Sequence, residues 1–329
     1  MNRLSGVLRW REFPVAFALV ALVATTYAVN PAFLSAQGVK DLLLNATILM
    51  ILAAGQTLVL VTENVDLSVG SMLGLTAYTV GVLFATVPGI PIIAVFAIAI
   101  LVGGVLGAIN GLLVSVAKVP ALVITLGTLY IYRGVNNAWA GGKQYFAGDR
   151  PQAFGDLSVQ TVLGIPLITL IALAILAVVA VYLNGARSGR DLYAIGSDSD
   201  AAKLYGIPVT KRIFSVFVAN GLLAGLAGVL YASRFNSVGA TTGDGMELQV
   251  VAAAVVGGVA IAGGVGTVVG AALGGLLLTT ITSSLTAMRV DKFWQQAVVG
   301  ALILSAVVID RVSSLRTARR LRVSEARNV

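Results

Sequence analysis

Long apolar runs alternate with short polar stretches along the whole chain. A run of about 20 apolar residues matches the hydrocarbon layer of a bilayer, so each such run predicts a membrane-spanning helix. Ten segments fit, at approximately 13–29, 42–62, 67–87, 91–117, 120–140, 162–183, 213–233, 248–265, 267–286 and 293–310. The pattern predicts an all-α polytopic membrane protein of about ten transmembrane helices, with a single transmembrane domain over 13–310.

The stretch 248–286 is the hardest to divide into helices. No charged residue lies between Glu247 and Arg289, and a glycine-rich patch, GGVAIAGGVG, occupies 257–266. Non-helical backbone at membrane depth is tolerated only where protein or water shields it. The sequence leaves open whether this stretch forms two full spans or includes a broken or re-entrant helix.

Positive charge is unevenly divided between the two sides of the membrane that this segmentation predicts. With the N-terminus inside, 15 Lys and Arg residues fall on the inner side and six on the outer side, and Arg133, within a span, completes the total of 22. Cytoplasmic segments carry the excess of Lys and Arg. We therefore expect an N-in, C-in topology, with a cytosolic segment 1–12, a cytosolic loop at 185–212 and a basic cytosolic tail 311–329.

Composition supports the membrane assignment and narrows the chemistry. The chain is 58% hydrophobic and 11% charged, against about 25% charged residues in soluble domains. It contains no Cys and no His, which excludes disulfides and the usual zinc and nucleophile sites. The net charge of +8 follows from the basic cytosolic side, where anionic lipid attracts it, so nucleic-acid binding is not expected.

Glycines recur at the spacing that allows helix backbones to approach closely in lipid. The ladders and single steps are Gly103–Gly107–Gly111, Gly266–Gly270–Gly274, Gly70–Gly74 and Gly221–Gly225. We expect these residues to serve tight helix packing.

A polar insert, GRDLYAIGSDSDAAKLYGIPVTKR at 189–212, separates two of the predicted spans. Its SDSD run (197–200) offers N-cap residues, AAKLY (201–205) favours a helix, and Gly206 followed by Pro208 ends it. So short a helix is marginal alone in water and needs a surface to pack against. The residues alone leave two interpretations open, a connecting loop and a docking element for a partner protein.

The same insert, GRDLYAIGSDSDAAKLYGI, resembles the cytoplasmic signature of bacterial ABC-importer permeases of the ribose/xylose/rhamnose/autoinducer-2 type. AAGQTLVLVTENVDLSVGSMLGL (53–75), PALVITLGTLYIYRG (120–134) and GDGMELQVVAAAVVGGVAIAGGVGTVVGAALG (243–274) are similar to other stretches of that family. The similarity covers most of 40–310 in order. One departure is Glu63–Asn64–Val65, where family members often carry Gly-Gly-Ile or a similar triplet.

The resemblance implies a set of partners in the plasma (inner) membrane of a bacterium. A second permease subunit, identical or different, would pair with this chain, and a periplasmic or lipid-anchored binding protein would deliver the solute. Two ATP-binding cassette subunits would bind the short helices of the paired permeases. In this chain the contact residues would be Asp198, Asp200, Ala201, Ala202, Lys203, Leu204, Tyr205, Gly206 and Ile207. The chain lacks G-x-x-x-x-G-K-[ST], so it carries no cofactor itself and ATP–Mg would bind to the partner.

Polar residues within the spans are candidates for the solute pathway, because buried polar groups in a bilayer are costly. They are Gln56, Asp66, Thr125, Thr128, Arg133, Asn136 and Asn137. Asp66 could instead cap a helix, and Arg133 could extend to the interface. Glu247 is expected either to cap the glycine-rich span or to contact the binding protein.

The functional prediction is a permease subunit that imports a sugar or sugar-like solute by alternating access, driven by partner ATPases, and that is not itself an enzyme. The alternative is a stand-alone, ion-coupled secondary transporter, which needs carboxylates or unwound carbonyls at mid-membrane. The predicted spans contain essentially no mid-span carboxylate, which argues against proton coupling. The identity of the solute stays open.

Overall fold

The computed structural model describes residues 12–117 and 119–291, and beyond these only residues 294, 297, 298, 300, 301, 304 and 305. Lys118, the basic tail 311–329 and nearly all of the N-terminal segment 1–12 therefore lie outside the described residues. So does most of the predicted tenth segment, 293–310.

The described chain is dominated by helices, as predicted. They are α1 (Phe13–Val29), α2 (Ala36–Leu60), α3 (Val69–Thr86), α4 (Ile92–Ala117), α5 (Ala121–Ala140), α6 (Gln152–Asp156), α7 (Leu167–Gly185), α8 (Arg187–Ser197), α9 (Ser199–Leu204), α10 (Val209–Arg234), α11 (Met246–Val256) and α12 (Val268–Ala287). Six of these, α2, α3, α4, α7, α10 and α12, are long and apolar enough to cross a membrane.

Four two-residue strands form two short ribbons outside the helices. They are β1 (Tyr145–Phe146), β2 (Thr161–Val162), β3 (Ile165–Pro166) and β4 (Ser237–Val238). β1 pairs with β4 and β2 pairs with β3, both antiparallel. The β2–β3 hairpin explains why α7 begins at Leu167 rather than at the predicted residue 162.

α2 and α3 lie at the centre of the bundle, and α4 and α7 at its margin. In the most apolar window of each helix, 83% of α2 but only 28% of α4 is buried within the chain. The uncovered apolar face of α4 suits contact with lipid tails, since no water is present there to penalise it.

α4 and α10 pack backbone to backbone along the predicted glycine ladder. A Cβ atom added at Gly103 would lie 2.7 Å from the Cα of Gly225, and one at Gly107 would lie 2.9 Å from the Cα of Gly221. The helices could not approach this closely with larger side chains, which confirms the predicted packing role of these residues.

Of the two alternatives left open for 248–286, the structure shows the broken helix. α11 ends at Val256, after 11 residues and about 16 Å, which is roughly half of a bilayer's hydrocarbon thickness. Residues 257–267 are non-helical, and Gly258, Gly263 and Gly264 have positive φ angles that favour glycine. The stretch therefore consists of one short helix, a glycine-rich loop and the long helix α12.

The polar segments gather at two opposite ends of the bundle. At one end, the amide of Gly264 donates to the carbonyl of Val61 at 3.0 Å, and α8 packs on both. At the other end, β1 pairs with β4, and Lys40 donates to the carbonyl of Val159 at 2.9 Å. The predicted segmentation likewise separates the loop 185–212 from the loops 141–161 and 234–247.

Candidate functional site

Two helices, α3 and α11, begin side by side inside the bundle. A Cβ atom added at Gly70, in the first turn of α3, would lie 2.7 Å from the carbonyl oxygen of Gly243 and 3.2 Å from the amide nitrogen of Glu247. Gly74 packs in the same way against the carbonyl of Thr242. The first turns of helices present unpaired amide groups and a positive partial charge, so two such ends converge here.

Each of these helices follows a non-helical segment that re-enters the bundle. Residues 61–68, which we call the first linker, join α2 to α3, and residues 239–245, the second linker, lead into α11. Irregular backbone at such depth must be paired within the protein. The polar residues on and around the linkers supply those partners.

Asp66, on the first linker, is fully buried and accepts three hydrogen bonds. Its Oδ1 accepts from the amide of Ser68 at 2.9 Å and from the Ser68 hydroxyl at 2.7 Å. Its Oδ2 accepts from Nδ2 of Asn220, in the middle of α10, at 2.9 Å. The N-cap of α3 is Ser68, so the capping role predicted for Asp66 is wrong. Asp66 instead holds Ser68 just before the first turn of α3 and binds the linker to α10.

The network continues through Ser68 to two further helices. Asn110 of α4 donates to the Ser68 hydroxyl at 2.7 Å, and the Tyr132 hydroxyl of α5 donates to Oδ1 of Asn110 at 3.2 Å and to the carbonyl of Leu106 at 2.9 Å. With its side-chain amide oriented to satisfy both atoms, Gln56 of α2 donates to the backbone carbonyl of Asp66 and accepts from the backbone amide of Asp66, each at 3.2 Å. Five elements of the bundle are therefore joined by one set of buried polar side chains.

A second cluster of charges joins α5 to the second linker. Nε of Arg133 lies 2.8 Å from the Asp244 carboxylate, and its NH2 group lies 3.5 Å from that of Glu247. Arg133 therefore pairs within the protein rather than extending alone to an interface. The Asp244 side chain is 44% exposed, whereas Glu247 is mostly buried in the first turn of α11. The N-cap of α11 is Gly245, so Glu247 does not cap the helix, but its charge lies near the positive end of the helix dipole.

The remaining pathway candidates lie on α5, at different exposures. Thr125 is buried and donates to the carbonyl of Val65 at 3.1 Å, and Thr128 donates to the carbonyl of Thr125 at 3.3 Å. Asn136 is buried and donates to the carbonyl of Ala240 on the second linker, at 3.2 Å, whereas Asn137 is exposed. Besides Arg133, the candidates on α5 that are tied to a linker are thus Thr125 and Asn136.

The expectation that carboxylates are essentially absent at mid-span is wrong for Asp66. It contacts α10 at Asn220, 11 residues beyond the start of that helix. The sequence pattern placed Asp66 at the edge of an apolar run and gave no sign that the linker carries it inside. Asn110, Tyr132, Asn220 and Asp244 were missed as members of these clusters. The signal for the two asparagines was present, because each interrupts an apolar run, in AINGLL (108–113) and VANGLL (218–223).

The polar insert forms two helices where the sequence predicted one. α9 is the predicted capped helix: Asp198 accepts from the amides of Asp200 and Ala201 at 3.0 and 2.9 Å, and Gly206 follows with φ of 78°. α8 was not predicted. It packs on the bundle through Leu192 and Ile195.

α9 presents an uneven surface to any partner. Leu204 and Tyr205 are 89% and 88% exposed, whereas Ala202 is buried against Ile195 and Val209. The Lys203 ammonium donates to Asp200 at 2.7 Å, and this hydrogen bond holds the pKa of the Asp200 carboxyl below its usual range. Of the residues predicted to touch an ATPase, Ala202 faces inward and supports the helix instead.

α8 is fastened to α10 by an ion pair with two hydrogen bonds. Nε and NH2 of Arg212 lie 3.0 and 2.8 Å from the same carboxylate oxygen of Asp191. Both side chains are mostly shielded from solvent, which strengthens the interaction relative to an exposed pair.

Glu63, the departure from the family pattern, has a positive φ of 62° at the end of α2. This left-handed conformation costs a residue with a side chain about 1–2 kcal/mol. Glycine adopts it freely, which gives a physical reason for the glycines that family members often carry here.

Comparison with known proteins gives one family for the chain. A family model described as "Branched-chain amino acid transport system / permease component" matches residues 38–307. The "Autoinducer 2 import system permease protein LsrC" of Enterobacter sp. (strain 638) is 38% identical over 97% of this chain and 92% of its own length. Proteins of the same name from Klebsiella pneumoniae and Yersinia pseudotuberculosis are 38% and 37% identical, each over 97% of this chain and over 92% and 88% of their own lengths.

No solved structure matches the chain. The family model and these relatives cover nearly the whole sequence, including both linkers and the α8–α9 insert. They confirm the resemblance drawn from the motifs, and the six membrane-length helices fit it. The chain therefore belongs to the family of transport-system permease components, as a multi-pass permease subunit of an ABC importer.

Proposed function

We propose that this permease imports a sugar-like solute of the autoinducer-2 or monosaccharide class across the inner membrane of a bacterium. The observation that carries the proposal is the similarity, over 97% of the chain, to permeases named for autoinducer 2 import. The family description names branched-chain amino acids instead, but it covers the family as a whole. The individual relatives are the more specific guide.

The proposed topology is N-in and C-in, with ten spans. The described helices and the two ends of the bundle are compatible with it, and the basic tail 311–329 would then lie on the cytosolic side with the α8–α9 insert. Anionic lipid on that side attracts such a tail. In addition to the six longer helices, the crossings would be supplied by α1, by α5, by the second linker together with α11, and by the segment 293–310.

We assign to α9 the role of docking element for an ATP-binding cassette subunit. Leu204 and Tyr205 are almost fully exposed at the end of a capped helix, which suits insertion into a groove on a partner. Two permeases, two ATPases and a solute-binding protein would complete the importer. Closure of the ATPases around ATP would move α9 and switch the pathway from one side to the other.

In this proposal the solute moves along α5 and between the two linkers. Arg133, Asp244 and Asn137 are among the polar groups there with solvent exposure, and they offer exchangeable hydrogen bonds to hydroxyl groups. Transport requires contacts that are strong enough to admit a solute and weak enough to release it. Asp66 and its partners would hold the linkers in place rather than bind the solute.

Ion-coupled transport by the chain alone is the second candidate, and Asp66 is the observation that favours it. A buried carboxylate within a membrane protein often marks a proton or ion pathway. Against it, Asp66 already accepts three hydrogen bonds and lies beside a helix start, an environment that suits a structural carboxylate.

Reconstitution into proteoliposomes separates the two candidates. We expect uptake of labelled autoinducer 2 or a pentose only when the ATPase subunits, the binding protein and ATP are all present, and no uptake of leucine. Leu204→Asp should abolish co-purification of the ATPase, whereas Leu163→Asp, at the opposite end and 98% exposed, should not. Uptake by the chain alone, driven by a proton or sodium gradient, would instead support the second candidate.

A further inference from the structure

Three segments of the chain meet at the end of the bundle where α8 packs, and we call this meeting point the glycine junction. It consists of Val61, Gly196 and Gly264. The amide of Gly264 donates to the carbonyl of Val61 at 3.0 Å, and a Cβ atom added at Gly196 would lie 2.6 Å from that same amide nitrogen and still closer to the Val61 carbonyl. No side chain fits between the three backbones.

Neighbouring residues extend the close contact on both sides. A Cβ atom at Gly263 would lie 2.7 Å from the carbonyl of Gly196 and 2.8 Å from the amide of Glu63, and one at Gly264 would lie 2.6 Å from the Ser197 hydroxyl. Gly263 and Gly264 also have φ angles of 78° and 70°, which a residue with a side chain adopts only with strain.

A hydrogen bond outside the junction also joins α8 to the glycine-rich loop 257–267. The Tyr193 hydroxyl of α8 donates to the carbonyl of Gly266 at 2.9 Å. α8 is thus fixed to the glycine-rich loop 257–267 at two positions, one backbone contact and one side-chain hydrogen bond. The Arg212–Asp191 pair, by contrast, fixes α8 to α10 and does not involve the loop.

Each of the three segments at the junction is connected to a different helix. Val61 opens the first linker, which carries Asp66 and ends at α3. Gly264 belongs to the loop that follows α11. Gly196 lies one turn before α9. Because close-packed backbone transmits displacement rather than absorbing it, a movement of α8 would reach both α3 and α11.

We propose that the glycine junction relays movement of α9 to α3 and α11 together, with Gly196 and Tyr193 as the positioning residues. The proposal rests on the proposed docking role of α9. It assigns to α8, rather than to α10, the connection between that helix and the pathway.

The first test measures transport in the assembled importer. Gly196→Ala and Tyr193→Phe should leave ATPase co-purification and ATP hydrolysis unchanged and lower the solute taken up per ATP by about threefold or more. The matched control is Gly185→Ala, near the end of α7, where an added Cβ meets no atom within 4 Å. Unchanged uptake per ATP in both variants of the junction would overturn the proposal.

The second test needs no partner and uses the full chain in detergent. Amide hydrogen exchange in Gly196→Ala should rise by about threefold or more in both 61–68 and 257–267, although neither contains the substitution. A change confined to α8 would overturn the relay. If the wild-type chain bound no ATPase, the proposed function would fail, and the exchange result would still decide whether the junction connects the three segments.

Discussion

The amide of Asn220 donates to the carboxylate of Asp66 at 2.9 Å, across 154 residues of sequence. This hydrogen bond joins the middle of α10 to the first linker. It places a carboxylate inside a membrane bundle, and none of the ion pairs among the described residues involves Asp66. The position makes Asp66 the most informative single residue for testing how the linker is held.

Asp66→Ala should destabilise the protein by about 2–4 kcal/mol, because it leaves the amide groups of Ser68 and Asn220 buried without acceptors. Asp66→Asn should cost much less. Oδ1 of Asn220 has no hydrogen-bond partner, so rotation of that amide would let it accept from the new side chain. Thermal unfolding of the full chain in detergent measures both variants.

Uptake by the same two variants separates a structural from a transporting carboxylate. If Asp66 only positions the linker, Asp66→Asn retains most ATP-driven uptake. Loss of uptake in a variant that unfolds at the wild-type temperature would show that the ionisable group itself is needed, and would favour ion coupling.

Arg133 and Asp244 should be energetically coupled. Arg133→Gln leaves two carboxylates without their shared cation, whereas Asp244→Asn leaves Arg133 the contact with Glu247. We expect the double variant to be less damaged than the sum of the single ones, with a coupling energy of about 0.5–3 kcal/mol in unfolding. Additive effects in that double-mutant cycle would contradict the pairing.

Gly103→Ala should weaken the contact between α4 and α10, because the added Cβ would lie 2.7 Å from both the Cα and the amide nitrogen of Gly225. We expect a clear fall in the unfolding temperature. The control is Gly127→Ala on α5, where an added Cβ meets no atom within 4 Å. There the better helix propensity of Ala should be neutral or stabilising by up to about 1 kcal/mol. Equal effects at both positions would contradict the packing role of Gly103.

Asp198→Ala should loosen α9 by about 1 kcal/mol, since it removes both hydrogen bonds that cap the helix. If α9 docks to an ATPase, the affinity for that subunit should fall about fivefold, as measured with detergent-solubilised proteins. Asp198→Asn serves as the control, because its side-chain oxygen can still accept from both amides. Equal affinity for both variants would argue that the cap is not needed for docking.

Several elements could be predicted because their signals are local. The capped helix α9 needed only Asp198, Gly206 and Pro208 in sequence, and its cap has the predicted form. The glycine ladder on α4 was recognisable from its spacing alone. α1 and α4 begin and end close to their predicted positions, because runs of apolar residues bounded by polar ones mark where a helix can leave a bilayer.

Other elements depended on contacts that the sequence does not display. α11 stops at Val256 although its apolar run continues. The loop 257–267 makes backbone hydrogen bonds of its own, and it also pairs with Val61 of the first linker and with the Tyr193 hydroxyl of α8. Ala202 fitted an exposed docking surface by its small size, but the fold turns it towards Ile195. α8 was overlooked because its apolar residues are few and are buried only when the bundle is assembled.

By itself, the sequence determined that this is a helical membrane permease, where most helices run, and which short polar helix is capped and exposed. These properties follow from hydropathy, glycine spacing and capping, each of which acts over a few residues. Only the tertiary structure decided that Asp66, Asn110 and Asn220 meet, that Arg133 pairs with Asp244, and that α8 touches both linker and loop. Those contacts join residues 42 to 154 positions apart, and they stabilise the protein only once the helices have packed against one another.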